Sequence, residues 1–429
     1  MHVYIEDIGR YEGKEVVIKG WLYNKRSSGK VRFILVRDGT GIIQSVIAKG
    51  ETKEEVFEAA DRITQESSVI LKGIVKKEKR APGGYEIIAQ DLRIIQKTSD
   101  YPITPKEHSI EFLLPIRHLW LRSKKQNAIM RIRHEIISSL RRFLDERGFI
   151  CADCPILTPA ACEGTTTLFE VDYYEQKAYL SQSGQLYNEA TAAALGRVYC
   201  FGPTFRAEKS KTRKHLTEFW MLEPEIAYID LDGIMELIED MIVYMVESVL
   251  KNREAELKIL ERDISILAQI KKPFPRISYK EAVSIIQKKD KEFKYGEDFG
   301  APHEAFISEN FDKPVFVHRF PAAIKAFYMK RDPDDPSLVL GVDMIGPEGS
   351  GELVGGGQRE DDYDTLLKSI KEHNLPEKAF QWYLDLRKYG TCPHGGFGLG
   401  LERTIAWICG IKHVRETIPF PRMLDRIYP

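Results

Sequence analysis

The sequence predicts an α+β chain in two parts: a small β-barrel at the N-terminus, then a larger, mostly antiparallel sheet with helices packed on it. Three observations predict this. Strand-like runs crowd the first hundred residues, a long amphipathic helical pattern begins near Asn127, and strand runs with glycine-rich turns then alternate with helical stretches.

In the first hundred residues, EVVIKGWLYNK, VRFILVRDG and GIIQSVIAK are split by the turn signals SSGK and DGTG. SSVILKGIVKKE and YEIIAQDLRIIQK follow, joined through APGG, with one helical stretch, EEVFEAADRITQ, between the third and fourth strands. Five strands and one helix in this order suit an OB-fold over residues 1–100. TSDYPITPKEHS, polar and proline-containing, opens a linker over 101–125. A domain over 126–429 begins with Ile129, Ile132, Ile136, Leu140 and Phe143 at helical spacing, stopped by Gly148. LDGIMELIEDMIVYMVESVLKNREAELKIL reads as one long packed helix within a helical insertion around 231–300. VFVHRFP, LVLGVDMIG, GELVGGGQRE and GGFGLGLERT supply the later strands.

Composition narrows the function classes. With 63 basic and 64 acidic residues among 429, any nucleic-acid contact is local rather than global. The barrel region is mildly basic, 18 Lys and Arg against 15 Asp and Glu. No run approaches the roughly 18 apolar residues of a membrane span, and MHVYIEDIGRYEGKE lacks a secretory apolar core. A cytoplasmic protein with no membrane partner is expected. Six scattered cysteines suggest no disulfide framework. Cys151 and Cys154 form a CxxC without a second ligand pair, so two reduced, partly buried thiols are expected.

Three constellations carry chemistry. In FRAEKSKTRKHLTEFWMLEPEIA, a hairpin places Arg206 near Phe219: a guanidinium for phosphate and a ring face for a base. The basic tip KSKTRK suits phosphate or is a solvated loop. GGFGLGLER spaces its glycines as GxGxG, so it is no dinucleotide fingerprint, but Arg403 starts the following helix, ready to stack or bind phosphate. Asp343 and Glu352 lie on two strands joined by IGPEGSG. Two carboxylates brought together ask for a cation between them, and Mg²⁺ prefers oxygen ligands.

Together these segments resemble the class II aminoacyl-tRNA synthetases of the aspartyl/asparaginyl/lysyl subgroup. RGFICADCPILTP with Pro155, FRAEKSKTRKHLTEF and GGFGLGLERT stand in for the three class motifs, in order, behind the barrel. The resemblance implies ATP as substrate, Mg²⁺, a tRNA partner and a homodimer built on the first-motif helix. It implies that Arg206 clamps the α-phosphate, that Phe219 and Arg403 sandwich the adenine, and that Glu208 and His215 line the ATP site. Asp343 and Glu352 would hold Mg²⁺. In the barrel, Phe33 would stack on the central anticodon base, Gln44 would hydrogen-bond it, and Arg26 would meet the backbone.

The amino acid is implied by the same resemblance. Glu163, Ser183 and Gln185 match α-amino-binding positions, and Arg359 matches the arginine that faces the substrate side chain. Aspartyl enzymes carry lysine at the position of Asn188 and aspartate at that of Glu223. Glu223 reaching inward would accept from an amide NH₂ while Arg359 donates to the amide oxygen. A site built around a buried acceptor rejects an analogue lacking the donor by roughly 10⁴. L-Asparagine, and hence tRNA(Asn), is the expected substrate pair. Glu225, on the same face as Glu223, reads as a structural acid bracing Arg359 or nearby backbone. The rival readings are an aspartyl enzyme of relaxed specificity, a tRNA-independent asparagine synthetase, and a nucleic-acid-binding protein with a dead catalytic domain.

Overall fold

A computed structural model describes residues 1–159 and 168–429. Contacts divide them into two units, Met1–Arg122 and Ser123–Pro429.

In the first unit the strands are β1 (Glu15–Ser28), β2 (Val31–Arg37), β3 (Ile42–Ala48), β4 (Ser68–Lys77) and β5 (Tyr85–Gln96), with α1 (Glu54–Arg62) between β3 and β4. They close into a barrel in the order β1-β2-β3-β5-β4. Alternation drives the closure: Val16, Ile18, Ile34, Val36, Ile43, Ile47 and Leu71 all point inward and are buried. Val56, Phe57 and Ala60 of α1 join the same core. The segment expected as a linker has its own structure. Helical turns at Ile110–Leu113, Leu114–Ile116 and Arg117–Trp120 bury Leu113, Leu114 and Trp120 with Ile103 and Ile110 packed on them. Apolar residues at three- and four-residue spacing outweigh the proline signals there.

The second unit opens with α2 (Lys124–Asp145), N-capped by Ser123, whose hydroxyl accepts from the Gln126 N–H. After β6 (Ile150–Cys151), a small sheet forms from β7 (Leu157–Thr158), β8 (Glu170–Tyr173) and β9 (Gln176–Leu180). Then come α3 (Gln185–Leu195), β10 (Arg197–Phe205), β11 (Glu218–Ala227), α4 (Leu231–Asn252), β12 (Arg276–Ser278) and β13 (Val315–Pro321). The chain ends through β14 (Leu338–Gly346), β15 (Gly351–Gln358), α5 (Gln381–Lys388), β16 (His394–Gly400) and α6 (Leu401–Cys409). Among the described residues the main sheet has eight strands, β12-β13-β14-β15-β16-β11-β10-β6. It is antiparallel except at its two outermost pairings.

Two sequence expectations change. The long helix ends at Asn252, because Arg253 leaves helical geometry at φ −132° and pairs with Glu135 and Glu256. A separate short helix, Glu254–Ile259, follows. Nor is 231–300 an appendage. Ile234, Ile238, Met241, Ile242 and Met245 of α4 share one core with Ile129, Ile132, Ile136 and Leu140 of α2, and β12 is an edge of the main sheet.

Candidate functional site

The β10–β11 hairpin pairs Thr204 with Phe219 and Cys200 with Glu223. Period-two alternation then sets Phe219, Met221, Glu223 and Glu225 along one face of β11. β16 and β15 lie beside it, and their glycines let side chains of β11 pass close. At Gly396 a Cβ would collide with the Pro224 carbonyl and the Glu225 carboxylate. Two cavities open on this face. They share Arg206, Met221, Glu352 and Gly398, so they are halves of one cleft.

One half is lined by Phe219, Arg403, His215, Lys214 and Leu216. The Arg206 guanidinium sits 5.3 Å from the Phe219 ring centroid. Its Nε is buried and, among the described residues, has no hydrogen-bond partner. A buried guanidinium N–H without an acceptor suits an anionic ligand. Arg403 donates through Nη1 to the Glu352 carbonyl at 3.0 Å and through Nε to the Lys214 carbonyl at 3.4 Å. Both contacts are to neutral carbonyls, and the Glu352 carboxylate lies 3.9 Å from Nη1 as a looser ion pair. Glu208 does not line this cavity. After Arg206, whose N–H bonds the Thr217 carbonyl at 3.0 Å, the chain leaves the ladder, and Glu208 acts on the site as a charge near His215.

The other half, a cavity of about 390 Å³, is lined by Ser183, Gln185, Glu223, Glu225, Arg359 and Tyr328 among others. The Glu223 carboxylate accepts from the Ser183 hydroxyl, from the Gly184 N–H at 2.9 Å and from the Cys200 thiol at 3.4 Å. A carboxylate offers about four acceptor positions, so one remains for a ligand. Arg359 binds Glu225 through two parallel bonds, Nε to Oε1 at 3.0 Å and Nη2 to Oε2 at 2.9 Å. That leaves Nη1, whose one hydrogen-bond partner among the described residues is the Met329 sulfur at 4.0 Å. Burial disfavours the Arg359 charge, but Glu225 and then Glu189 more than offset it and raise its pKa. Glu225 therefore braces Arg359, as the sequence suggested.

Asn188, at the position where aspartyl enzymes carry lysine, has a structural place here. Asn188 is fully buried and does not line the cavity. Its amide donates to the Glu223 carbonyl at 2.8 Å and to Cys200 Sγ at 3.3 Å, while its oxygen accepts from Cys154 at 3.2 Å. It fixes the backbone from which Glu223 projects. A second cation, Lys325, does line the cavity, but it is paired with Asp343 at 2.6 Å. Cys151 is exposed rather than partly buried. Glu163 lies outside the described residues.

Behind the cavity sits a buried network with no counterpart in the sequence expectations. Glu189 accepts from Tyr383 Oη at 2.7 Å, Gln185 Nε2 at 2.9 Å, Arg387 Nη2 at 2.6 Å and His394 Nε2 at 2.9 Å. Burial works against its charge, but Arg387 and His394 hold it far below the usual carboxylate range. Ligand atoms of Glu189, Glu225 and His394 come within 4.8 Å of one another. Each of these carboxylates is already bonded to a guanidinium, which supplies the positive charge a metal would bring.

Asp343 and Glu352 are the other candidate pair: Asp343 is bonded to Lys325 at 2.6 Å, while the Glu352 carboxylate has Arg403 at 3.9 Å. A Cβ added at Gly355 would stand 2.6 Å from Glu352 Oε1 and 3.5 Å from Asp343 Oδ1, so the two acids converge over that glycine. Burial pushes Asp343 up to about 7, with Glu352 adding to the rise and Lys325 opposing it. Two converging carboxylates are a suitable pair of oxygen donors for Mg²⁺.

In the barrel unit, Phe33, Gln44 and Arg26 adjoin one another. The Arg26 guanidinium lies 4.3 Å from the Phe33 centroid and donates to Gln44 Oε1 at 3.4 Å. Gln44 Nε2 donates to Glu86 at 3.0 Å. One face of the ring expected to receive a base is thus covered by Arg26.

Comparison with known proteins bears on both units. A model described as "tRNA synthetases class II (D, K and N)" matches residues 109–424, and one described as "OB-fold nucleic acid binding domain" matches 16–95. The chain is 59% identical over 427 residues to an asparagine–tRNA ligase of Pelotomaculum thermopropionicum, covering 100% of this chain and 99% of that one. It is 52% identical to that of Thermus thermophilus, covering 100% of both. Its structure matches the crystal structure of asparaginyl-tRNA synthetase from Pyrococcus horikoshii complexed with asparaginyl-adenylate. The TM-score is 0.96 at 47% identity, covering 100% of this chain and 99% of that one. A joined cleft of this geometry and a family match over most of the length agree: the chain belongs to the class II tRNA synthetases of the D, K and N family.

Proposed function

We propose that the chain ligates L-asparagine to tRNA(Asn) in two steps at the joined cleft, through an asparaginyl-adenylate. The observation that carries this reading is the end-to-end identity to asparagine–tRNA ligases, 59% in one case. In the first step the asparagine α-carboxylate attacks the α-phosphorus of ATP and diphosphate leaves. No general base is required, because the nucleophile is already ionised. Catalysis is then positioning and charge stabilisation. Arg206, at the junction of the two halves with Nε unpartnered, is placed to take the α-phosphate. Phe219 and Arg403 hold the adenine, with His215 beside them. Mg²⁺ held by Asp343 and Glu352 would supply charge neutralisation at the phosphates. In the second step a terminal hydroxyl of the tRNA attacks the adenylate carbonyl, and AMP leaves.

Specificity rests on Glu223 and Arg359. The remaining acceptor position of Glu223 takes the amide NH₂, and Nη1 of Arg359 donates to the amide oxygen. Ser183 and Gln185 receive the α-ammonium. Bound aspartate would set a second carboxylate against Glu223. Phe33, Gln44 and Arg26 read the anticodon, with Arg26 moving off the ring to meet phosphate. The enzyme works as a cytoplasmic homodimer. What supports the dimer is the exposed apolar run just past the first-motif helix, Ile150, Ile156 and Leu157. No helix among the described residues is long and apolar enough to cross a membrane.

ATP–pyrophosphate exchange with asparagine and aspartate side by side tests the reading. Exchange with asparagine alone is expected. Comparable efficiency with aspartate would overturn the substrate assignment.

A further inference from the structure

Gln185 and Glu189 stand four residues apart at the start of α3, on one helix face. An amide side chain can present either its oxygen or its nitrogen to a ligand, and the two ends differ little in shape. What decides between them is the partner on the other side. For Gln185 that partner is Glu189 Oε1, at 2.9 Å from Nε2. Glu189 is wholly buried and takes four donors from four positions: Gln185 on α3, Tyr383 and Arg387 on α5, and His394 on β16. With a guanidinium at 2.6 Å it is a carboxylate, and a carboxylate only accepts. The nitrogen of Gln185 must therefore point back to Glu189, and its oxygen is left for the cavity that Gln185 lines.

Ser183 repeats this logic. Its hydroxyl hydrogen is committed to Glu223, and its oxygen accepts from the Gln185 backbone N–H at 3.0 Å. Each of the two groups is turned by a carboxylate so that a lone pair, not a hydrogen, is left over. A surface of acceptors suits an ammonium and repels a carboxylate.

We propose that Glu189 is a positioning residue for amino-acid recognition, locking the Gln185 amide with its oxygen toward the substrate's α-ammonium. The inference rests on Gln185 being an α-ammonium ligand. Tyr383, Arg387 and His394 enter as the donors that keep Glu189 in place. Replacing the carboxylate by an amide gives Gln185 a partner that can donate, so the Gln185 amide is free to turn its NH₂ outward.

The test is Glu189→Gln in the full-length enzyme, read by pyrophosphate exchange. The KM for asparagine is expected to rise about tenfold, the worth of one hydrogen bond to a charged group, with kcat and the KM for ATP unchanged. Succinamic acid, which is asparagine without its α-amino group, is expected to inhibit the variant and the parent equally. Equal weakening of asparagine and succinamic acid would mean that Glu189 merely supports the cavity, and would overturn the proposal. So would an unchanged KM for asparagine. If the single variant does not fold because Arg387 is left unpaired, the double variant Glu189→Gln/Arg387→Gln removes both charges and is read by the same criteria. Gln185→Ala separates the two layers of the argument. An unchanged asparagine KM there removes the α-ammonium role and the proposal with it. A raised KM there, with Glu189→Gln silent, removes only the positioning role.

Discussion

The two halves of the cleft are built on opposite principles. In the amino-acid half the charges are bonded to one another before any ligand arrives: Arg359 to Glu225, Arg387 to Glu189, Lys325 to Asp343. In the nucleotide half Arg206 has an unpartnered buried N–H, and Arg403 bonds neutral backbone carbonyls, with the Glu352 carboxylate further off at 3.9 Å. A small substrate recognised by one amide offers little binding energy to organise its own site, so the protein holds that site rigid. A polyanionic substrate brings its own charge, and arginines left unneutralised gain most when it binds.

The sharpest way to break the contrast is Arg359→Ala. It leaves Glu225 buried without its cation, a change that costs about 3–5 kcal/mol. Exchange with asparagine is expected to fall by about 10²–10³-fold, because the variant loses the donor to the amide oxygen and leaves Glu225 unpaired beside the substrate, with a lowered melting temperature. Arg359→Met with Glu225→Leu removes the pair together. Thermal stability is then expected to return toward the parent while exchange stays lost, since apolar substitution of a buried pair is often neutral. Recovery of exchange in the double variant would show that Arg359 serves stability alone.

Arg206→Ala probes the other half. Loss of one preorganised donor at developing charge costs roughly 10²–10³ in kcat. Because Arg206 is stacked on Phe219 rather than paired with a buried acid, the melting temperature is expected to hold. Equal losses of stability in Arg206→Ala and Arg359→Ala would erase the distinction between the halves.

These contrasts were unevenly legible in the sequence. Alternation along LEPEIA was enough to set Glu223 and Glu225 on one buried face, and two strand runs about a basic turn were enough for a hairpin that brings Arg206 near Phe219. The OB barrel was legible for the same reason: period-two burial is a local property of each strand. The Glu189 network was not. Tyr383 and His394 lie 194 and 205 residues from Glu189 along the chain, and no periodicity links them. The one local signal was the four-residue spacing of Gln185 and Glu189 within QLYNE. Nor was the role of Asn188 legible: its position was matched only to a lysine of aspartyl enzymes, and the short amide there turns to the β11 backbone.

The barrel offers a smaller effect. Phe33→Ala is expected to weaken tRNA by about 10–100-fold, the roughly 1–3 kcal/mol of one base–aromatic stack, while leaving tRNA-independent exchange unchanged. An effect on exchange without tRNA would show that Phe33 matters for more than tRNA binding.

The smallest effect lies in the pH dependence of the amino-acid half. Burial disfavours the charged form of His394, but the Glu189 carboxylate on Nε2, and Glu225 beyond it, raise its pKa above the ordinary 6.5. A histidine raised on folding contributes stability that is complete below its unfolded pKa and is lost as pH rises through the folded value. The groups facing it are Glu189, Glu225 and Arg387, of which only the arginine opposes the proton. His394 is therefore expected to contribute a decline in parent stability from pH 6 toward 8, of at most the slope of one proton. His394→Gln, which keeps a neutral donor toward Glu189, should flatten that decline. A parallel slope in the variant would place the titration elsewhere. It would leave Arg387 and Tyr383 as the donors that hold Glu189, and with it Gln185, in position.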